Sequence, residues 1–307
     1  MIDFETFVIT VYVMVDQALA HVPPPDPRPG RHPALSRSEV VTLALIAQLD
    51  RFASERAFAR FAAQRLRVLF PRLPDRSQLH RAMRVAQATC DAVRTQWGDQ
   101  LDAAQAPYEL LDGTAMPLRN PARRGHPASA AFAAYGRGSR LGGFYGCRVL
   151  VTATPAGVVT GYAVAAGNTH DSTLAETFFA ERAGASPSSA VGTASSGVYL
   201  ADKAYSGRDQ VKRWATRYAA TVTAPPKRDS RDHWSEAAEH DHAHKRQMIE
   251  TVFQRLLQGL RLERDRPRTE QGLAARLAAK CALSNLLICW NRTDHRPDLA
   301  FASVIGW

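Results

Sequence analysis

The stretch Val198-Tyr199-Leu200-Ala201-Asp202-Lys203-Ala204-Tyr205-Ser206-Gly207 constrains the fold more than any other, because a short apolar run stops abruptly on a carboxylate. Such a run, bounded by a Ser-Gly turn, reads as a buried strand that delivers Asp202 at its carboxyl end, with a polar helix from Arg208 onward. A second apolar run, Tyr108-Glu109-Leu110-Leu111-Asp112-Gly113, also ends on an acid, and Met248-Ile249-Glu250-Thr251-Val252-Phe253 sets Glu250 in an amphipathic helix. Three carboxylates brought together from two strand ends and a helix repel one another unless positive charge lies between them. Hard oxygen ligands of this kind select Mg²⁺ or Mn²⁺. The expectation is therefore a metal site at Asp112, Asp202 and Glu250.

From Pro107 onward β-type runs alternate with Gly-rich turns. Residues 109–112, 144–154 and 158–166 predict a three-stranded antiparallel meander, the last two strands joined by the turn Pro155-Ala156-Gly157. Ala122-Arg123-Arg124-Gly125 and Gly136-Arg137-Gly138-Ser139-Arg140 are basic and turn-rich, which predicts an exposed positive loop. Asn168-Thr169-His170-Asp171-Ser172 reads as the cap of a helix through about Ala180; His170-Asp171 could also be a ligand pair, but the capping role is the expectation for Asp171. A Gly/Ser/Ala-rich loop at 183–197 precedes the Asp202 strand, followed by a helix at 208–218 and a short strand near 221–224. Residues 227–244, polar and containing His240-x-His242-x-His244, read as a loop. Helices follow at 246–258 and 272–291, the second apolar almost all round and so buried. This order predicts a mixed α/β layered fold.

Before Pro107 the pattern is helical. Phe4, Phe7, Val8, Val11, Tyr12, Val15 and Leu19 lie on one face of a first helix, and Pro23 to Gly30 make a stiff connector. Ser36-Arg37-Ser38-Glu39 has the form of a capping box. A further helix spans 54–70, and Asp75 or Ser77 can cap a fourth whose Arg81 and Arg84 reach toward bases or phosphates. Residues 28–102 hold 13 Arg against 7 Asp+Glu, and the whole chain has 39 Lys+Arg against 29 Asp+Glu, so the expected partner is a polyanion such as DNA. The four cysteines show no CxxC spacing, so neither a zinc knuckle nor a disulfide framework is suggested, and a reducing cytoplasm fits. The apolar run 7–15 is too short to span a bilayer, so no membrane partner is expected.

Five stretches taken in order carry a resemblance: Leu111-Asp112-Gly113-Thr114, Phe144-Tyr145-Gly146-Cys147-Arg148-Val149, Ala165-Ala166-Gly167-Asn168-Thr169-His170-Asp171, Leu200-Ala201-Asp202-Lys203-Ala204-Tyr205, and the run from Arg246 to Phe253. Together they resemble the ribonuclease H-like fold of DDE-type insertion-sequence transposases. The resemblance implies a ribonuclease H-like mixed sheet flanked by helices at 106–296. An all-helical, helix-turn-helix-like DNA-binding region precedes it at 1–105, and a tail follows at 297–307. It implies cutting of DNA at the ends of an insertion element and joining of the 3′-OH to target DNA. Two Mg²⁺ (or Mn²⁺) ions would be held by the catalytic Asp112, Asp202 and Glu250. A nuclease of the same fold without strand transfer, or a non-catalytic DNA-binding remnant, would share these residues. Expected DNA contacts are Arg81, Arg84, Arg123, Arg124, Lys203 and Arg246, with a homodimer in the DNA complex and a cytoplasmic, nucleoid-associated location. Relatives carry a Tyr-Arg-Glu-Lys signature around the last acid; here Arg246 keeps the arginine position, but Ala243 and Leu257 replace the tyrosine and lysine. Lys245, Arg255 and Arg261 are the candidate substitutes.

Overall fold

The structure is a computed structural model and describes residues 2–24, 32–119, 132–138, 141–184, 189–192, 196–230 and 232–305. Its organising element is a long first strand. β1 (Glu109–Arg119) pairs antiparallel with β3 (Gly142–Ala153) along most of its length, and parallel with β5 (Val198–Ala201) over its first three residues. β6 (Thr221–Thr223) extends the parallel side next to β5. On the far edge of β3, β2 (Ala134–Gly138) and β4 (Val159–Ala166) pair with successive parts of the same strand. The mixed sheet therefore runs β2/β4–β3–β1–β5–β6.

The expected meander of β1, β3 and β4 is present, with its turn closed by Gly157 N donating to Thr154 O at 2.9 Å. β2 corrects the expectation of a basic loop at 136–140, since residues 134–138 form a strand. Gly136 makes this strand possible, because a Cβ there would fall 1.9 Å from the carbonyl oxygen of Gly167. Tyr135 packs edge-on against its cross-strand partner Tyr145, with ring centroids 5.0 Å apart.

Strand alternation sorts the sheet's side chains into two layers. Leu111, Leu150, Tyr199 and Ala201 face α6 (Asp171–Arg182) and α7 (Arg208–Tyr218), where Phe178, Phe179 and Trp214 complete one apolar cluster. Leu110, Val149, Val151 and Leu200 face the opposite way, into a larger core. That core is built on α9 (Glu270–Thr293), whose buried side chains surround the helix as its all-round apolar sequence predicts. This helix is long and apolar enough to cross a bilayer, but 89% of its apolar window is buried inside the protein, so its surface is already used. Asn285 on α9 fastens it to the sheet. Its Oδ1 accepts from Val159 N at 2.8 Å and its Nδ2 donates to Val159 O at 2.9 Å.

The N-terminal helices join the same core. α1 (Phe4–Ala20) is capped by Asp3 and buries Phe7, Val8, Val11 and Val15, and Phe7 stacks on Trp290 of α9 at 5.5 Å. α2 (Arg37–Ile46) has the expected capping box, Ser36 N donating to Glu39 Oε2 at 2.6 Å and Glu39 N to Ser36 Oγ at 3.2 Å. α3 (Glu55–Phe61) runs on through a π-helical turn at Ala62–Leu66, and α4 (Arg76–Val85) is capped by Asp75, which accepts from Ser77 N and Gln78 N. α5 (Gln87–Gln100) lies along α9.

α8 (Glu236–Gln254) starts ten residues before the expected helix at 246, so the histidine tract is helical rather than a loop. Ser235 caps it, Glu236 and Glu239 lie in its first turn, and His242 is buried against Ala201 O at 2.9 Å. The last helix, α10 (Ala302–Ile305), follows a buried Phe301 whose ring lies 4.5 Å from the Arg255 guanidinium.

Candidate active site

Register brings the first two acids together. The last parallel pair between β1 and β5 is Leu111↔Ala201, so Asp112 and Asp202 are each the next residue on neighbouring strands. Adjacent strands lie about 4.8 Å apart. Asp112 does not end its strand as the sequence suggested; β1 continues to Arg119 on β3, and what ends at Asp112 is its partnership with β5. The sheet opens at that point. Asp112 Oδ1 accepts from Gly113 N at 2.7 Å, and Asp202 Oδ1 accepts from Ala204 N at 2.8 Å, capping the 3₁₀ turn Lys203–Tyr205.

The same opening receives two groups from the far side of β1. A Cβ on Gly113 would lie 3.1 Å from Asp171 Oδ1 and 3.2 Å from the Tyr205 hydroxyl, so the glycine lets both close onto the strand. Asp171 therefore does not cap α6: His170 occupies the cap position without a side-chain bond, and the Asp171 carboxylate is turned to Arg148 Nη1 at 3.0 Å. Arg148 stands on β3 and is held from behind by the carbonyl of Arg137 on β2 at 2.6 Å. On the other face, Arg246 of α8 donates to Asp112 Oδ2 at 3.0 Å.

The electrostatics follow from crowding three carboxylates in a half-buried cleft. Burial pushes the Asp112 carboxyl up to about 6; Arg246 opposes the rise, and Asp202 and Asp171 add to it. Burial likewise raises Asp171, with Arg148 opposing and Asp202 adding. Tyr205 is raised well above the ordinary phenol range by burial and then by Asp112, Asp171 and Asp202. Its hydroxyl is buried among these acids and has no hydrogen-bond partner among the described residues.

Glu250 is exposed on α8, one turn beyond the Arg246 that bonds Asp112, and Asp202 and Asp171 are the acids that weigh most on Asp112. Lys203 is exposed beside Asp202, whereas Arg81 and Arg84 line a basic cleft that shares no residue with the acids. Arg123 and Arg124 lie outside the described residues. Leu257 is buried in the core, so a lysine at that position would face apolar side chains. Of the candidate substitutes, Lys245 pairs with Asp241 at 2.6 Å and Arg255 lies over Phe301, while Arg261 pairs with Asp50 at 3.3 Å.

A family model for the transposase DDE domain matches residues 110–286, from the start of β1 into α9. The chain belongs to this transposase family. No curated protein and no solved structure matches it. The matched span of the transposase domain contains Asp112, Arg148, Asp171, Asp202, Arg246 and Glu250. Arg148 stands beside the acids without having been expected there, and Asp171, weighed as a ligand but read as a cap, lies in the cleft instead. Arg148 had a signal of its own, a lone arginine within the apolar run of β3.

The donor set suits a hard divalent cation, since every candidate ligand is a carboxylate oxygen. The unpartnered Tyr205 hydroxyl marks polar capacity that the protein leaves unused. Arg246 and Arg148 offset part of the acids' charge, and although Asp171 and Asp202 lie close enough to Asp112 to raise it, among the described residues no three candidate ligands form a ready-made cage.

Proposed function

We propose that this transposase-family chain cuts DNA at the ends of an insertion element and joins the freed 3′-OH to target DNA. The observation that carries this reading is the placing of Asp112 and Asp202 side by side where β5 leaves β1. The sheet order, three antiparallel strands followed by two parallel ones, supports a ribonuclease H-like fold. In this reading residues 1–105 are a helix-turn-helix-like unit that holds DNA, 106–296 perform the chemistry, and 297–307 are a tail. A homodimer engages the paired ends in the nucleoid of the cytoplasm.

Asp112, Asp202 and Glu250 would hold two Mg²⁺ or Mn²⁺ ions. When bound, such ions activate the attacking oxygen and stabilise the leaving oxygen of an in-line displacement at phosphorus. The chain's own residues prepare that site. Gly113 N and Ala204 N fix one oxygen of each aspartate, and Arg246 holds the other oxygen of Asp112. Arg246, once freed from Asp112, would meet a DNA phosphate, Lys203 adds positive charge beside Asp202, and Arg123 and Arg124, outside the described residues, are further candidate contacts. A second reading, with Asp171 as the third carboxylate, is favoured by one observation: Asp171 and Asp202 both bear on Asp112, and Asp202 bears on Asp171.

The test is incubation of the full-length protein with duplex DNA carrying the element's own ends and Mg²⁺, with strand-resolved analysis of products. Nicked ends plus joined strands support the reading. Nicks alone reduce it to a nuclease, and neither product with intact DNA binding reduces it to a binding remnant.

A further inference from the structure

A cleft of about 760 Å³ lies between α4 and the segment 261–268, with α9 as its floor. Ten Arg and Lys side chains line it against two carboxylates. Those two are already engaged. Glu55 accepts from Arg276 Nη2 at 2.6 Å, and Asp265 pairs with Lys280 at 3.2 Å, so the floor is neutralised internally. The rim is not. Arg56, Arg76, Arg81 and Arg84 on one wall and Arg266 and Arg268 on the other have no ion-pair partner among the described residues. Nη1 of Arg266 donates to both Glu263 O and Asp265 O at 2.8 Å each, which ties the guanidinium to the backbone of this segment.

A second groove of about 700 Å³ runs along the other side of α4, sharing Arg56, Arg76 and Arg81 and adding Arg60 and Arg67. Its one acid, Asp75, is occupied in capping α4. The exposed first turns of α4, with Ser77, Gln78 and Arg81, thus stand as a ridge between two basic channels. An α-helix is about 10–12 Å across. The DNA major groove is about 12 Å wide and is walled by a phosphate strand on each side.

We propose that this ridge and its two channels form a duplex-DNA site separate from the acid cluster. α4 occupies the major groove, and one phosphate strand is gripped between α4 and residues 261–268. The site is composite, because its second wall comes from the C-terminal part of the chain and not from the helical region alone. It rests on the reading that the chain acts on DNA. Each rim arginine that neutralises a phosphate releases condensed counterions, which makes its contribution readable in the salt dependence.

The experiment is fluorescence anisotropy of full-length protein with a labelled duplex of arbitrary sequence, titrated from about 50 to about 200 mM salt. Arg266→Ala/Arg268→Ala and Arg60→Ala/Arg67→Ala should each lower the slope of log K against log salt by about two. The equal-charge control Lys212→Ala/Arg228→Ala, on exposed positions elsewhere, should leave it unchanged. Arg266→Lys/Arg268→Lys should keep the wild-type slope, which separates lost charge from lost folding. A wild-type slope in Arg266→Ala/Arg268→Ala, or a fall matched by the control, overturns the proposal. So does saturable ATP binding that this variant abolishes while duplex binding persists. Cleavage of element ends by a protein whose rim variants bind DNA normally would leave the proposed function standing and remove only this site. Wild-type protein that binds no duplex would remove both.

Discussion

Replacing Asp112 by asparagine should make the metal-free protein more stable, and only above about pH 5. The Asp112 carboxyl titrates near 6 in the folded chain, against about 3.9 in an unfolded one. The folded state therefore binds this proton more tightly than the unfolded state. Below about pH 4 both states are protonated and nothing is lost; stability falls as pH rises through that window and the full cost is present above about 6. Two powers of ten in proton affinity correspond to about 3 kcal/mol. Asp112 keeps 24% of its side chain exposed, so solvent screening brings this to about 1–2 kcal/mol. Asparagine mimics the neutral acid and keeps an oxygen for Arg246. The assay is thermal unfolding of wild type and Asp112→Asn in chelator at pH 4 and pH 8. The expected outcome is equal melting temperatures at pH 4 and a variant about 2–4 °C higher at pH 8. A variant melting at or below wild type at pH 8, or a gap that does not change with pH, refutes the reasoning.

Glu250→Gln should abolish cleavage, and Asp171→Asn should lower Mn²⁺ affinity and cleavage by about 10–100-fold, because it strips a charge from the acid cluster and leaves Arg148 without its partner. The reverse order in a single-turnover assay would make Asp171 the third ligand. Tyr205→Phe should raise the metal-free melting temperature slightly, since it removes a buried hydroxyl without a partner, while slowing cleavage; faster or unchanged cleavage would deny the hydroxyl a role. Arg182→Met leaves the fully buried Glu109 without the guanidinium that pairs with it at 2.9 Å, and should cost about 3–5 kcal/mol in urea unfolding. A loss below about 1 kcal/mol would show that Glu109 takes up a proton or a water instead.

The parts of this fold that were legible in sequence are those fixed by local physics. An apolar run ending on an acid located β5 and Asp202, the Ser36–Glu39 box located α2, and the all-round apolar face of 272–291 identified α9 as the core helix. The parts that were not legible depend on distant partners. β2 is glycine-rich and exists because Gly136 can approach the carbonyl of Gly167. The start of α8 is polar and is fixed by His242 reaching Ala201 O, 41 residues away in sequence. Asp171 sits in a good local capping sequence, and only Arg148 and Gly113, both far from it in the chain, draw its carboxylate into the cleft. The continuity of the core from Phe7 to Leu110 was equally invisible to local patterns. It means that an excised helical region would expose the face it packs against α9.

The most direct test of the central claim, that neighbouring strands deliver Asp112 and Asp202 into one divalent-cation site, is Mn²⁺ titration of the full-length protein followed by electron paramagnetic resonance of the free ion. Wild type should deplete free Mn²⁺ with saturable stoichiometry, and Asp112→Asn and Asp202→Asn should each lose that binding while melting cooperatively. Wild-type binding by Asp202→Asn would contradict the account, because the register that places Asp202 beside Asp112 would then have no part in holding the ion.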